Sequence, residues 1–322
     1  MHLSADMSRD RAAIRTADAS PPMRGLTGNR GEAPRSPAGA MPDVSHLCEA
    51  EGPAIAAWPF WLYSPVGVVV LLVRSLLLAS FGGIGRLLPR HWRPVPYPLL
   101  RRLLGIVVER NLSTAEIVRL TDKRIVAVNH VSVLDTLAMT GVGRPNFLSG
   151  TALRGESTFN AVLFRLVELI SGARLIPAQD RRALADLFRS WRSVPEESSF
   201  YVPAEMTINN GRGLFRFHPT LIDRGVPVVP LAIRLTTSLG LVAHPFMSGG
   251  LATLSRLLMA PRLRFELTYL PALSPVEGED GQAFADRVQR AVADHLGIPT
   301  TTHTVEAKRA YRERLRQTRR AA

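Results

Sequence analysis

From Pro53 to Val73 the chain carries no charged residue, and after Arg74 the apolar run resumes from Ser75 to Gly85. A transmembrane helix needs about 20 consecutive apolar residues and tolerates a charge near its centre poorly. Val66 to Ile84 has the length, but Arg74 falls in its middle, and Pro53, Pro59 and Pro65 divide the first part into short pieces. Two arrangements meet these constraints. One is a monotopic hairpin, re-entrant or interfacial, over residues 53–90, with Trp58, Phe60, Trp61 and Tyr63 at headgroup level. The other is a buried amphipathic helix of a large soluble fold. Arg86, Arg90, His91, Arg93, Arg101 and Arg102 follow directly. Basic residues beside an apolar anchor favour an anionic membrane surface, which decides for the hairpin.

Charge narrows the class further. The formal net charge of the 322 residues is +13 and 46% of them are hydrophobic, so the chain is attracted to acidic partners and can bury a sizeable core. Nucleic acid is not the expected partner, because there is no zinc finger, no helix-turn-helix signal and no basic stretch interleaved with aromatics. Cys48 is the single cysteine, which excludes an intramolecular disulfide and a zinc site built on repeated cysteines. Residues 1–52 are rich in Ala, Pro, Gly, Ser and Arg without apolar periodicity, and are expected to be a disordered tail. No apolar segment follows Met1 at the distance of a secretory signal, and Asp6, Asp10 and Asp18 argue against a transit peptide.

Past residue 100 the pattern alternates between strands and helices. Ile125–Val128, Ser199–Val202, Val228–Leu235 and Leu263–Leu270 read as strands. Leu134–Met139, Asn160–Ile170, Ala183–Trp191 and Gln282–Leu296 read as helices, the last stopped by Gly297. Such alternation implies an α/β domain around a central sheet. Residues 298–322 are a basic tail, whose Glu306–Arg320 stretch carries seven basic and two acidic residues, and they are expected to form a solvated, frayed helix.

Two constellations carry chemistry. Asn129-His130-Val131-Ser132-Val133-Leu134-Asp135 follows the strand Ile125–Val128. Its histidine and aspartate can act as a general base and the carboxylate that orients it, with Ser132 as a candidate helix cap. Pro203-Ala204-Glu205-Met206-Thr207-Ile208-Asn209-Asn210-Gly211 follows the strand-like Phe200-Tyr201-Val202. It can present polar groups and backbone amides to a substrate, or it is simply a hairpin turn, since Asn-Gly is a strong hairpin dipeptide.

Together these pieces resemble the glycerolipid acyltransferase family. Its first motif is matched by Asn129, His130 and Asp135, and its third, Pro-Glu-Gly-Thr with Asn-Gly behind, by Glu205, Thr207, Asn210 and Gly211. The valine- and proline-rich fourth motif is similar to Val226-Pro227-Val228-Val229-Pro230. Ala204 and Met206 depart from the third motif's proline and glycine, and of the second motif only Gly172-Ala173-Arg174-Leu175-Ile176-Pro177 is found, with Arg181 or Arg182 as a substitute arginine. The resemblance implies a glycerol-3-phosphate acyltransferase-like α/β domain over residues 91–297, a central mixed sheet flanked by helices. It also implies an acyl-CoA co-substrate, no metal and no bound cofactor. His130 and Asp135 become catalytic, and Asn129, Glu205, Thr207, Asn210, Gly211 and Arg212 bind a lysophospholipid or glycerol phosphate. Tyr63-Ser64-Pro65-Val66-Gly67, Asn210 through Phe217, and Phe284 through Gln289 are similar to the ancient ubiquitous protein branch. That branch implies the endoplasmic reticulum or lipid-droplet surface, and offers the alternative of an adaptor working with quality-control proteins. The branch normally continues into ubiquitin-linked segments, which residues 298–322 are not expected to encode.

Overall fold

Ile125, Val126, Ala127 and Val128 are all buried, which requires a strand covered on both faces. In the computed structural model this strand, β2 (Arg124–Val128), is central to a sheet. The structure describes residues 42–48, 58–87, 97–142, 146–149, 174–177, 186, 188, 199–222, 225–243 and 245–321. All lie within one unit, Met41–Ala322. The other strands are β1 (Ile106–Arg110), β3 (Asn146–Ser149), β4 (Arg174–Pro177), β5 (Ser199–Pro203), β6 (Val228–Thr237) and β7 (Leu263–Tyr269). Their order across the sheet is β1-β7-β6-β2-β5-β3-β4. Among the described residues only the β6–β7 pair of strands is antiparallel, so the expected mixed sheet is found.

Each face of the sheet has its own core. Val126, Val128, Tyr201, Val229 and Leu231 point into one cluster, and Ile125, Ala127, Phe200, Val202 and Val228 into the other. The second cluster is closed by a helix, Gly281–Leu296, which buries Phe284, Val288 and Val292. Its ends follow local chemistry: Asp280 accepts the N–H groups of Gln282 and Ala283, and Gly297 terminates it at φ 67°. Strand β7 shows the alternation expected of it, with Leu263, Phe265, Leu267 and Tyr269 buried. The expected helix 160–170 lies outside the described residues, as does most of 183–191, of which Asp186 and Phe188 are helical.

Four expectations are corrected. Residues 44–48 of the supposed tail form a short helix, α1 (Val44–Cys48), because Val44, Leu47 and Cys48 have an apolar place to go against Phe215 and Phe246. The apolar segment is not two arms over its described part but one helix, α2 (Trp58–Leu87). Pro65 removes the N–H that would bond the Trp61 carbonyl, and the Ser64 hydroxyl donates to that carbonyl instead, at 2.9 Å. Ser132 does not cap the next helix, Asp135–Met139, through a helical N–H; its Oγ accepts the Leu134 N–H in the turn before it, at 3.1 Å. The C-terminal tail is a helix, Val305–Ala321, whose inner face is packed rather than solvated, with Ala307, Tyr311 and Leu315 against the cluster of α1.

Arg74 explains why a charge interrupts the apolar run. Its guanidinium is buried and donates to the carbonyls of Leu258 and Ala260, at 2.9 and 2.5 Å, and of Pro261, at 3.0 Å. These carbonyls lie at the C-terminal end of the helix Gly250–Met259, where the helix has no partners of its own for them. The Tyr63 hydroxyl adds a bond to the Met259 carbonyl, at 3.0 Å. Gly105, at φ 70°, leaves room for this contact, since a Cβ there would collide with the guanidinium and the Pro261 carbonyl. One face of α2 is thereby fastened to the domain, while Trp61, Leu62, Val66, Val69, Leu72, Val73 and Leu76 remain exposed. Arg74→Met should lower stability by about 3 kcal/mol, because buried carbonyls lose their donors. Arg74→Lys should recover only part of it, a point charge being unable to serve three carbonyls as a planar fork does. Denaturant unfolding in detergent checks both, and a wild-type midpoint for Arg74→Met would show that the contact carries no load.

Candidate active site

Strands β2 and β5 run parallel side by side, with Val128 opposite Pro203. The loops leaving their C-terminal ends therefore emerge together, which is where open α/β sheets place their ligands. The Ala204 N–H continues the pairing onto the Val128 carbonyl, at 2.9 Å. His130 and Glu205 thus come within reach of each other although they are 75 residues apart in sequence.

The expected base and its orienter meet. His130 Nδ1 lies 2.8 Å from Asp135 Oδ2, and the same oxygen accepts the N–H groups of Val131, at 2.8 Å, and Ser132, at 3.1 Å. Asp135 is 1% exposed and the His130 side chain 27% exposed. A carboxylate gripped by two backbone donors cannot swing away, so it holds the imidazole by Nδ1 and leaves Nε2 as the nitrogen for proton transfer. The five-residue spacing is what lets the first turn of the helix Asp135–Met139 fold the carboxylate back onto the histidine ring.

Most of the other candidates have partners inside the fold. Asn129 is buried, with its amide donating to the Ile233 carbonyl, at 2.9 Å, and accepting the Ile233 N–H, at 2.7 Å. It extends the β2–β6 pairing by one side chain. Glu205 is 1% exposed; its Oε1 accepts the His130 N–H, at 3.0 Å, and the Asn209 amide, at 2.6 Å, and its Oε2 accepts the Phe215 N–H, at 2.8 Å. Asn210 donates to the His46 carbonyl of α1, at 2.7 Å, and accepts the Arg212 N–H, at 3.1 Å. These three are expected to touch substrate; in the structure each bonds backbone groups of the protein, and Glu205 the Asn209 amide as well. Thr207 and Arg212 are half-buried in the same loop, and Gly211 is exposed at φ 79°. Asn210-Gly211 does not join two strands, so the hairpin alternative is not realised. Met206 occupies the family's glycine position at φ 55° and packs its side chain onto the second core cluster. The left-handed backbone there is what a glycine would adopt freely.

Two residues were missed. Asn209 donates its N–H to the His130 carbonyl, at 2.7 Å, while its Oδ1 accepts the Gly211 N–H, at 2.6 Å. Lys308, on the C-terminal helix, donates to the Ile208 carbonyl. The repeat Ala307, Tyr311, Leu315 marks the inner face of that helix and was a usable signal for Lys308 beside it. Among the described residues, no three His, Cys, Asp or Glu side chains gather to hold a metal.

Burial raises the Glu205 carboxyl to about 7, opposed by its Asn209, His130 and Phe215 hydrogen bonds and by the charge of Lys308. The folded state therefore binds a proton that the unfolded chain, near 4.5, has released. Glu205 thus stabilises the fold most below about 4.5, and its contribution is lost as pH rises towards about 7. The unfolding free energy should fall by up to about 3 kcal/mol over that window through this group. Glu205→Gln should flatten that slope in denaturant titrations across pH, and an unchanged slope would assign it to other groups.

No family model matches the chain. Human lysophospholipid acyltransferase LPCAT4 is 28% identical over 186 residues, 57% of this chain and 35% of that protein. Human lysophosphatidylcholine acyltransferase 2 is 27% identical over 184 residues, 56% of this chain and 34% of that protein. The chain thus spans about a third of the length of these curated relatives. The lipid droplet-regulating VLDL assembly factor AUP1 of Danio rerio is 26% identical over 268 residues, 79% of this chain and 58% of that protein. The crystal structure of the 1-acyl-sn-glycerophosphate acyltransferase PlsC from Thermotoga maritima covers 73% of this chain and 96% of its own, at a TM-score of 0.48 and 15% identity, a likeness too slight to add to the sheet order above. In sequence the chain is thus similar to lysophospholipid acyltransferases and to AUP1.

Proposed function

We propose that this protein is a membrane-associated acyltransferase that moves an acyl group from acyl-CoA to a hydroxyl of a lysophospholipid or glycerol phosphate. The His130–Asp135 contact of 2.8 Å carries this reading. His130 Nε2 takes the proton of the acceptor hydroxyl as its oxygen attacks the thioester carbonyl. The carbon–sulfur bond breaks, and the imidazolium returns the proton to the departing thiolate. Asp135 holds the ring and stabilises its cation throughout. Neither metal nor bound cofactor enters this chemistry. In this reading Thr207, Gly211 and Arg212 border the acceptor, while Asn129, Glu205 and Asn210 shape the loops around it.

The exposed apolar side chains of α2 supply the membrane contact, in keeping with an endoplasmic-reticulum or lipid-droplet surface. The helix Trp61–Ile84 is long and apolar enough to cross a membrane. Its fastening through Arg74 favours a monotopic position, with the free faces in lipid and the domain at the interface. A second reading, an adaptor of the AUP1 kind with a weak or inactive site, draws on the broader span of that match, 79% of this chain.

The two readings part in one assay: protein in liposomes with labelled acyl-CoA and a panel of lysolipids and glycerol phosphate. Under the enzyme reading His130→Ala abolishes turnover, and Asp135→Asn lowers it by about 10³- to 10⁴-fold by spoiling the tautomer. Wild-type protein inert towards every acceptor would instead leave the adaptor. Membrane attachment is read separately, by flotation with liposomes. Leu72→Glu combined with Leu76→Glu should release the protein, and retention of the double variant would rule out the exposed face of α2 as the anchor.

A further inference from the structure

We propose that Lys308 is a positioning residue for His130, acting from the C-terminal helix through the loop that holds both backbone polar atoms of the histidine. The His130 N–H is held by Glu205 and its carbonyl by the Asn209 N–H. Lys308 reaches that loop between the two, donating to the Ile208 carbonyl. Its ammonium lies over the rings of Phe215, 5.4 Å away, and Phe246, 5.8 Å away. Phe215 is itself the residue whose N–H occupies the second oxygen of Glu205. One buried cation thus touches the loop at Ile208, inside the segment that clasps His130, and at Phe215 beyond it.

This placement is not what helix docking alone requires. Lys308 is 5% exposed, whereas Arg309, Arg314, Arg316, Arg319 and Arg320 of the same helix are exposed. A lysine that merely covers an apolar face keeps its ammonium in water. Burying it is costly unless it is matched, and here the match is a carbonyl, two ring faces and the buried carboxylate of Glu205. The other ionisable groups facing it are the Cys48 thiol of α1 and Arg312, one turn on in its own helix. Arg312 is drawn to the Phe246 carbonyl, at 3.2 Å, and stacks over the Phe246 ring at 5.0 Å.

The consequence follows from hydrogen-bond accounting at Glu205. A protonated carboxyl is a poorer acceptor than the carboxylate, so proton uptake by Glu205 weakens the N–H bonds it accepts. Lys308 favours the carboxylate, so removing its charge makes Glu205 take up its proton at higher pH. The bond from the His130 N–H to Glu205 is then weakened at a pH where the wild-type bond is still charge-assisted.

The effect on turnover rests on the acyltransferase reading, so the test has two arms, both on the full chain in liposomes. In the first, kcat and KM are measured across pH for the wild type, Lys308→Met and Lys308→Arg. In Lys308→Met the acid limb of kcat/KM should move up by about one pH unit, through kcat rather than KM, and Lys308→Arg should restore it. A profile like the wild type's, or a loss of equal size at every pH, would assign Lys308 to helix docking and overturn the proposal. In the second arm, carbethoxylation of His130 by diethyl pyrocarbonate is followed by peptide mass, with His218 and His295 as internal references. The pH course at His130 should shift in Lys308→Met and return in Lys308→Arg; identical courses in all three overturn the proposal. Absence of turnover in the wild type would refute the enzyme reading alone, because the second arm needs none. Lys308→Gln takes the place of Lys308→Met if the latter does not fold.

Discussion

A carboxylate removed from water has to be matched donor for donor, and Glu205 is matched by the N–H groups of His130 and Phe215 and the amide of Asn209. Each such charge-assisted bond is worth about 1.5–3 kcal/mol, and leaving one unmade costs a similar amount. The loop from Glu205 to Phe215 therefore has little freedom to rearrange, and the strand end carrying His130 is tied into it. The same loop receives α1 through Asn210 and the C-terminal helix through Lys308. Segments from both ends of the described chain thus converge on one buried carboxyl group.

The rule that governs Glu205 also governs Arg74, with the signs reversed. A guanidinium in an apolar helix is tolerable because backbone carbonyls at the end of the helix Gly250–Met259 need donors. The contact turns a charge that is awkward for a spanning helix into a fastening between an apolar helix and a folded domain. It also sets which faces of α2 are left free, and those faces are almost wholly aliphatic. The site loop is in this way held by a buried carboxyl and the apolar helix by a buried guanidinium.

Much of this was legible along the chain. The strands Ile125–Val128 and Leu263–Tyr269 and the helix ending at Gly297 declare themselves, because local periodicity and a stop residue are enough to specify them. His130 and Asp135 were legible for the same reason: five residues and one helical turn bring them together. Strands β3 and β4 were not read, being four residues each with no clear alternation. The backbone partners of Asn129, Glu205 and Asn210 were not legible, since a polar residue in a motif looks the same whether its partner is a substrate or the backbone of Ile233, Phe215 or His46.

The sequence by itself determined an α/β domain, an excess of basic residues, an apolar segment interrupted by one arginine, and a histidine five residues before an aspartate. All of these follow from interactions between residues near one another in the chain. Only the tertiary structure decided where Arg74 and Lys308 direct their charges, because their partners lie 184 and 100 residues away. It likewise brought Glu205 to the backbone N–H of His130, 75 residues away. Whether a buried charge is a liability or a fastening depends on which backbone groups lack partners nearby, and that is settled only when distant segments pack.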